Sequence, residues 1–237
     1  MAQAASLVGW LGRRALDLLF PSRCAACGSG GAFLCDTCAR SLTAASPPRC
    51  PRCWRPGPDA ALCFDCQVAP PPFEALRAAF VYEGIARELV HALKYRGVSA
   101  LAAPMGSLLA ASARRDAPPA ELVVPVPLSG LRGRTRGYNQ AALLAGALSE
   151  ELELPCSPRA LVRRRHTPPQ ARAPDAEARR RSVAGAFACR DVGIVVGKRI
   201  LLVDDVTTTG ATLGACAAAL TSAGAVSVRA LAFARED

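Results

Sequence analysis

Eight of the eleven cysteines fall in four C-x-x-C pairs: Cys24/Cys27, Cys35/Cys38, Cys50/Cys53 and Cys63/Cys66. Two residues between ligands let both sulfurs face one tetrahedral ion while backbone N–H groups point at them. A segment this short cannot bury a core of its own, so metal must hold it. The spacing predicts two structural Zn²⁺ ions with all eight cysteines as ligands. Two successive four-cysteine sites are the simplest pairing; a cross-braced pairing of first with third and second with fourth also fits. Eight thiolates close both coordination shells and leave no open position for catalysis at the metal. Gly28 suits the tight turn that follows a knuckle. Trp54, directly after Cys53, does not; it is expected to pack on the neighbouring domain, or else to offer a stacking platform to a base.

The compartment follows from the same residues. An odd cysteine count in metal-type spacing argues against a disulfide framework. Arg13 and Arg14 come after the apolar start of the chain, where a signal peptide would place its charges first. The reading is a cytoplasmic protein. No transmembrane segment is expected: residues 206–228 lack charges, but they carry five Thr or Ser hydroxyls before Ser222 and several glycines. Cys156, Cys189 and Cys216 read as buried small hydrophobes.

The 237 residues suffice for one α/β domain and a small appended module. Residues 1–23 are expected to hold a docking helix, with Leu7, Leu11, Ala15, Leu18 and Leu19 at helical spacing. The double zinc-ribbon module takes 24–69, Pro70 to Pro72 form a linker, and a larger domain occupies 73–237. There, strands are expected at 76–82, 121–126, 199–203 and 226–233, and helices at 84–95, 99–114, 138–153 and 211–223. Such alternation implies a mostly parallel sheet covered on both faces. Residues 159–182 are rich in Arg and are expected to leave the sheet as a mobile excursion.

The chemistry concentrates where the strand of Ile200 to Val203 runs into Asp204 and Asp205, then Thr207, Thr208, Thr209, Gly210, Ala211 and Thr212. Ligands of open α/β sheets bind beyond the carboxyl ends of strands. A helix N-terminus offers unpaired N–H groups and partial positive charge. Three Thr hydroxyls add donors, and Gly210 admits close approach, so the turn suits a phosphate monoester. No Walker-type glycine–lysine loop occurs. Two acids beside a phosphate pocket need recipients, and ribose hydroxyls and Mg²⁺ supply them. The simpler alternative, that Asp205 and the Thr run only cap a helix, accounts for one polar side chain but not for so many.

These residues make the chain similar to type I phosphoribosyltransferases, and more broadly it resembles the ComF family of competence-associated phosphoribosyltransferase-like proteins. The resemblance runs over nearly the whole chain. It rests on Phe20-Pro21 with the cysteine pairs, His91 to Gly97, Val124-Pro125-Val126-Pro127, Arg136-Gly137-Tyr138-Asn139-Gln140, Thr167 to Gln170 and the acidic segment. It implies that Asp204 and Asp205 hold ribose hydroxyls, that Thr207 to Thr212 take the 5-phosphate, and that Leu128, Ser129 and Gly130 take pyrophosphate. Arg132, Arg134 and Arg136 follow that loop and either bind diphosphate or form a solvated basic turn. Lys94, one of two lysines in the chain, is placed with the pyrophosphate group, or complements a helix end together with Arg96. Ser182 and Trp54 stand where the family usually has Asn and Gly.

The resulting expectation is an enzyme that binds phosphoribosyl pyrophosphate with Mg²⁺ and transfers the phosphoribosyl group to an acceptor no residue identifies. The resemblance links it to DNA uptake. The alternative is a non-catalytic factor that handles single-stranded DNA. The formal charge of +10, lowered by four if eight thiolates hold two Zn²⁺, suits anionic partners of either kind.

Overall fold

The computed structural model describes residues 22–116, 120–128, 137–164 and 185–237. The docking helix expected before Pro21 lies outside them. The cysteine-rich part carries two short helices, α1 (Asp36–Arg40) and α2 (Phe64–Val68). The chain then alternates through β1 (Ala75–Val81), α3 (Gly84–Tyr95), α4 (Ala102–Asp116), β2 (Leu122–Pro125) and α5 (Gln140–Leu152). It continues with β3 (Leu161–Arg163), β4 (Phe187–Cys189), the single turn α6 (Val192–Val195), β5 (Arg199–Thr207), α7 (Ala211–Ser222) and β6 (Ser227–Arg235).

Four strands form a parallel sheet in the order β1-β6-β5-β2. Its central strands are buried on both faces, which is why Ile200 to Val203 and Leu231 to Ala234 read as unbroken apolar runs. Successive side chains still alternate. Ile200, Leu202, Val228 and Ala230 pack with Leu213, Cys216 and Leu220 of α7 on one face. Leu201, Val203, Leu231 and Phe233 pack with Leu89 and Leu93 of α3, Met105 of α4 and Leu144 of α5 on the other.

The cysteine-rich residues are welded to this sheet. Cys24, Leu34 and Cys38 join the core on the α3 face, whereas Ala45 and Trp54 join the core on the α7 face. The connecting stretch also covers β1, the sheet's outer strand. Ala45 N donates to Ala79 O at 3.0 Å, Val81 N donates to Thr43 O at 2.9 Å, and Ala44 bridges Phe80 antiparallel. An exposed strand edge is a template for unwanted pairing, and this stretch removes it. Arg49 clamps the far end, with Nη1 and Nη2 at 2.8 and 2.6 Å from the two carboxylate oxygens of Asp237.

Three expectations need correction. The strand expected at 199–203 runs on to Thr207, because β6 continues beside it and pairs Val206 with Ala234 and Thr207 with Arg235. The acids therefore sit inside a strand. The Arg-rich stretch begins as an ordered strand: Leu161 to Arg163 of β3 pair antiparallel with Phe187 to Cys189 of β4, and residues 165–184 lie outside the described range. Of the three remaining cysteines only Cys216 is fully buried; Cys156 and Cys189 are half-buried. Among the described residues no helix is long and apolar enough to cross a membrane.

Candidate functional site

The thiols resolve into two sets, Cys24/Cys27/Cys35/Cys38 and Cys50/Cys53/Cys63/Cys66, each with its sulfurs within 4.8 Å of one another. That is the successive pairing, not the cross-braced one. Zn–S bonds of about 2.3 Å imply tetrahedral edges of about 3.8 Å. Cys27 and Cys35 sulfurs lie 3.7 Å apart, and those of Cys53 and Cys63 3.6 Å. Both sets fit structural Zn²⁺. Burial resists ionisation of Cys24, yet backbone N–H groups of Cys35, Cys27 and Ala26 outweigh it and hold the thiol down at about 6. A thiolate is what the metal takes.

The first knuckle of each set closes with a left-handed residue: Gly28 at φ 77° and Trp54 at φ 62°. The indole adopts a conformation costly for a side chain because burial holds it there. Trp54 Nε1 donates to Ala45 O at 3.0 Å, and the Arg77 guanidinium stacks 4.3 Å from the ring centroid. Trp54 thus packs on the α/β domain and offers no platform to a base.

At the carboxyl end of β5 lies a cleft of about 730 Å³, lined by Asp204, the Thr207 to Leu213 turn, Arg55 and Pro56 from the second ribbon, and the terminal Arg235, Glu236 and Asp237. The turn residues assigned to phosphate are brought together there. Gly210 caps α7 at φ 76°, a conformation that favours glycine. A Cβ at Gly210 would meet Leu76 and Phe73 at an ordinary contact distance of 3.5 Å, so the backbone angle alone is what calls for glycine. Ala211 N lies 3.4 Å from Thr209 Oγ1, and the first amides of any helix lack intrahelical partners. Thr207 is buried while Thr208, Thr209 and Thr212 are half-buried.

The two acids part company. Neighbours in a strand face opposite sides of its sheet. Asp204 is half-buried and lines the cleft on the α7 side. Asp205 is 7% exposed and pairs with Lys94 of α3 at 2.8 Å. Lys94 therefore sits on the acidic pair. Burial disfavours its ammonium, but the charges of Asp205 and Asp204 outweigh that and raise its pKa. The Asp204 pKa rises too, which for an acid disfavours the charged form. Burial, and then the charge of Asp205, push its carboxyl up to about 8, although Lys94, the Asp205 N–H and Arg163 pull it down. The Asp205 amide donates to Asp204 Oδ1 at 2.9 Å.

Tyr138 and Asn139 lock the surroundings. The Tyr138 hydroxyl donates to Leu93 O at 2.5 Å, beside Lys94, and Asn139 Nδ2 donates to Val126 O at 3.0 Å while its Oδ1 accepts from Ala141 N. Leu128 follows β2, half-buried. Ser129, Gly130, Arg132, Arg134 and Arg136 lie outside the described residues, as does Ser182. Arg96 pairs with Glu88 at 3.0 Å. Arg55 and Arg235 line the cleft and were passed over in the sequence. No spacing rule relates residue 55 to residue 207, and the only hint was that Arg55 follows a knuckle.

A parallel sheet with this acid-then-hydroxyl turn, attached to two closed four-cysteine sites, defines a phosphoribosyltransferase-type domain carrying a double zinc ribbon. Residues 139–236 match the phosphoribosyl transferase domain model, and residues 15–67 match the double zinc ribbon domain model. The chain belongs to the ComF family. It is 33% identical to the DNA utilization protein YhgH of Escherichia coli (strain K12) over 202 residues, 83% of this chain and 87% of that one. It is 29% identical to competence protein ComFC of Bacillus subtilis (strain 168), over 76% of this chain and 74% of that one. A solved glutamine phosphoribosylpyrophosphate amidotransferase from B. subtilis overlaps with a TM-score of 0.40 at 22% identity; the overlap covers 56% of this chain but only 26% of that longer one.

Proposed function

We propose that the chain binds phosphoribosyl pyrophosphate with Mg²⁺ and transfers its phosphoribosyl group to an acceptor, in the service of DNA uptake and use. The observation that carries the reading is the cleft itself, where Asp204 and a hydroxyl-rich helix start face the same space. The 5-phosphate sits on the Thr207 to Thr212 turn, where helix amides and hydroxyls donate to its oxygens. Asp204 accepts from ribose hydroxyls. Asp205 acts through Lys94, which keeps two adjacent acids from repelling each other and the anionic ligand.

In the reaction the bond from C1 to the diphosphate oxygen breaks, its electron pair leaves with pyrophosphate, and the acceptor's lone pair forms the new bond to C1. The sugar passes through an oxocarbenium-like state, and the positive charge that develops pulls down the raised pKa of Asp204, whose carboxylate then tolerates that charge. Asp204 and the donor's own oxygens are the hard ligands Mg²⁺ prefers, typically one or two carboxylates plus substrate phosphates, so the residues fit this ion. Bound there, Mg²⁺ would neutralise the diphosphate.

The test is calorimetry and pyrophosphate release with phosphoribosyl pyrophosphate and Mg²⁺. The Asp204→Asn, Asp205→Asn double variant is expected to lose donor binding by at least about 100-fold, the weight of several charge-assisted contacts; binding equal to wild type would sink the site assignment. The relatives named for DNA utilization and competence favour a second reading, a factor that handles single-stranded DNA without turnover. Oligonucleotide binding that falls steeply with salt, without pyrophosphate release across a panel of bases and amines, would support it against transfer.

A further inference from the structure

A phosphate monoester carries close to two negative charges, and the described lining of the cleft is poor in cations. Asp204, Glu236 and Asp237 line it, and a helix start supplies only about half a positive charge. Two arginines are among its described lining residues. Arg235 is turned inward: it is 3% exposed, its Nη1 donates to Cys53 O at 2.9 Å and its Nε lies 3.2 Å from Asp237. Arg55 keeps 38% of its side chain exposed, and Nη2 is held 2.9 Å from Asp65 Oδ2. A guanidinium has five donors in a rigid fork, so one carboxylate contact orients it without using it up. The backbone behind it is fixed as well. Cys50 N donates to Arg55 O at 2.8 Å, and the preceding Trp54 is buried under Arg77.

We propose that Arg55, delivered by the second zinc ribbon, is a phosphate-binding residue of the cleft, so that the ribbon completes the 5-phosphate site as well as covering the sheet edge. This rests on the phosphoribosyl reading above and extends it to a residue outside the catalytic domain. Asp65 serves as a positioning residue, and the ligand class is a phosphate monoester on a pentose.

Three ligands separate the contributions: ribose, ribose 5-phosphate, and phosphoribosyl pyrophosphate with Mg²⁺, each titrated calorimetrically into the full chain. Zinc content confirms that each variant keeps two ions. Arg55→Gln is expected to weaken ribose 5-phosphate binding about 10- to 100-fold, the range for a charge-assisted pair. Arg55→Lys should fall between wild type and Gln, since Lys keeps the charge but not the fork. Asp65→Asn should stay within about threefold of wild type, because an exposed pair contributes little by itself. Arg55→Gln binding ribose 5-phosphate like wild type would overturn the inference while leaving the acidic site standing. Asp65→Asn losing as much as Arg55→Gln would overturn it too, by showing that only the pair's structural role matters. If Arg55→Gln loses zinc, Arg55→Lys decides: unchanged affinity for ribose 5-phosphate rejects the assignment. If wild type binds neither phosphorylated ligand, the phosphoribosyl reading falls and this inference with it.

Discussion

Asp204 and Asp205 adjoin in sequence, yet the sheet sends one into the cleft and the other to Lys94. The cost of this arrangement falls on Asp204. Its carboxyl titrates near 8 against an ordinary 3.8, through burial first and Asp205 second. A raised folded-state pKa for an acid means that the native chain binds the proton more tightly than the unfolded one. Stability is then fully present below about pH 4 and declines as pH rises towards 8. Asp204→Asn removes that penalty. Without Mg²⁺ or ligand, the variant is expected to melt above wild type, with the gap widening by about 3 kcal/mol between pH 6 and pH 9. Calorimetric scans across that range provide the check, and a constant gap would show that Asp204 is not strained by ionisation. The acid pair was legible in the sequence as chemistry. Its division of labour was not, because the expected strand ended at Val203 and the alternation that separates the two side chains was not applied to them.

Among elements, α4 and α5 approach closely at Gly106. A Cβ there would collide with Ala147 Cβ and approach the Ala147 carbonyl carbon to 3.0 Å. Both partners are helix backbone or short side chain, so neither can swing away. Gly106→Ala should destabilise by about 1–3 kcal/mol despite alanine's better helix propensity, measurable as a shift in the urea midpoint. A stabilised variant would mean that the helices can part freely. The helices expected at 84–95, 138–153 and 211–223 fall within two residues of α3, α5 and α7, and the periodic signal is clearest in α3, where Ile85, Leu89 and Leu93 recur at i, i+4 and i+8. It ran 99–114 as one helix, where the chain makes a 3₁₀ turn over Ser99–Leu101 before α4 begins. The pair β3–β4 went unseen, because two three-residue strands leave too short a pattern to register.

For the whole molecule, the zinc ribbons and the sheet form one body. The first ribbon enters the core on the α3 face and Trp54 that on the α7 face, and the Arg49–Asp237 clamp ties the ribbons to the last residue of the chain. The protein should carry two zinc ions by atomic absorption. Chelation should lower the melting temperature by at least about 10 °C, since a closed structural site contributes on the order of 10 kcal/mol. It should also promote association, because the 43–45 stretch no longer covers β1. A chelated chain that stays monomeric and melts unchanged would show that the ribbons are independent of the sheet.

Local sequence was enough to specify the local parts: four knuckles with cysteines at metal spacing, strands apolar enough to be buried on both faces, and a strand–turn–helix rich in acids and hydroxyls. Each of these is encoded within a dozen residues, where spacing and covalent geometry leave few alternatives. Only the folded chain settles which knuckles share a metal, that Lys94 neutralises Asp205, and that Arg55 from the second ribbon reaches the cleft built by β5 and α7. Those pairings join residues far apart in the chain. They depend on strand order and on the packing of the ribbons against the sheet, which no local pattern records.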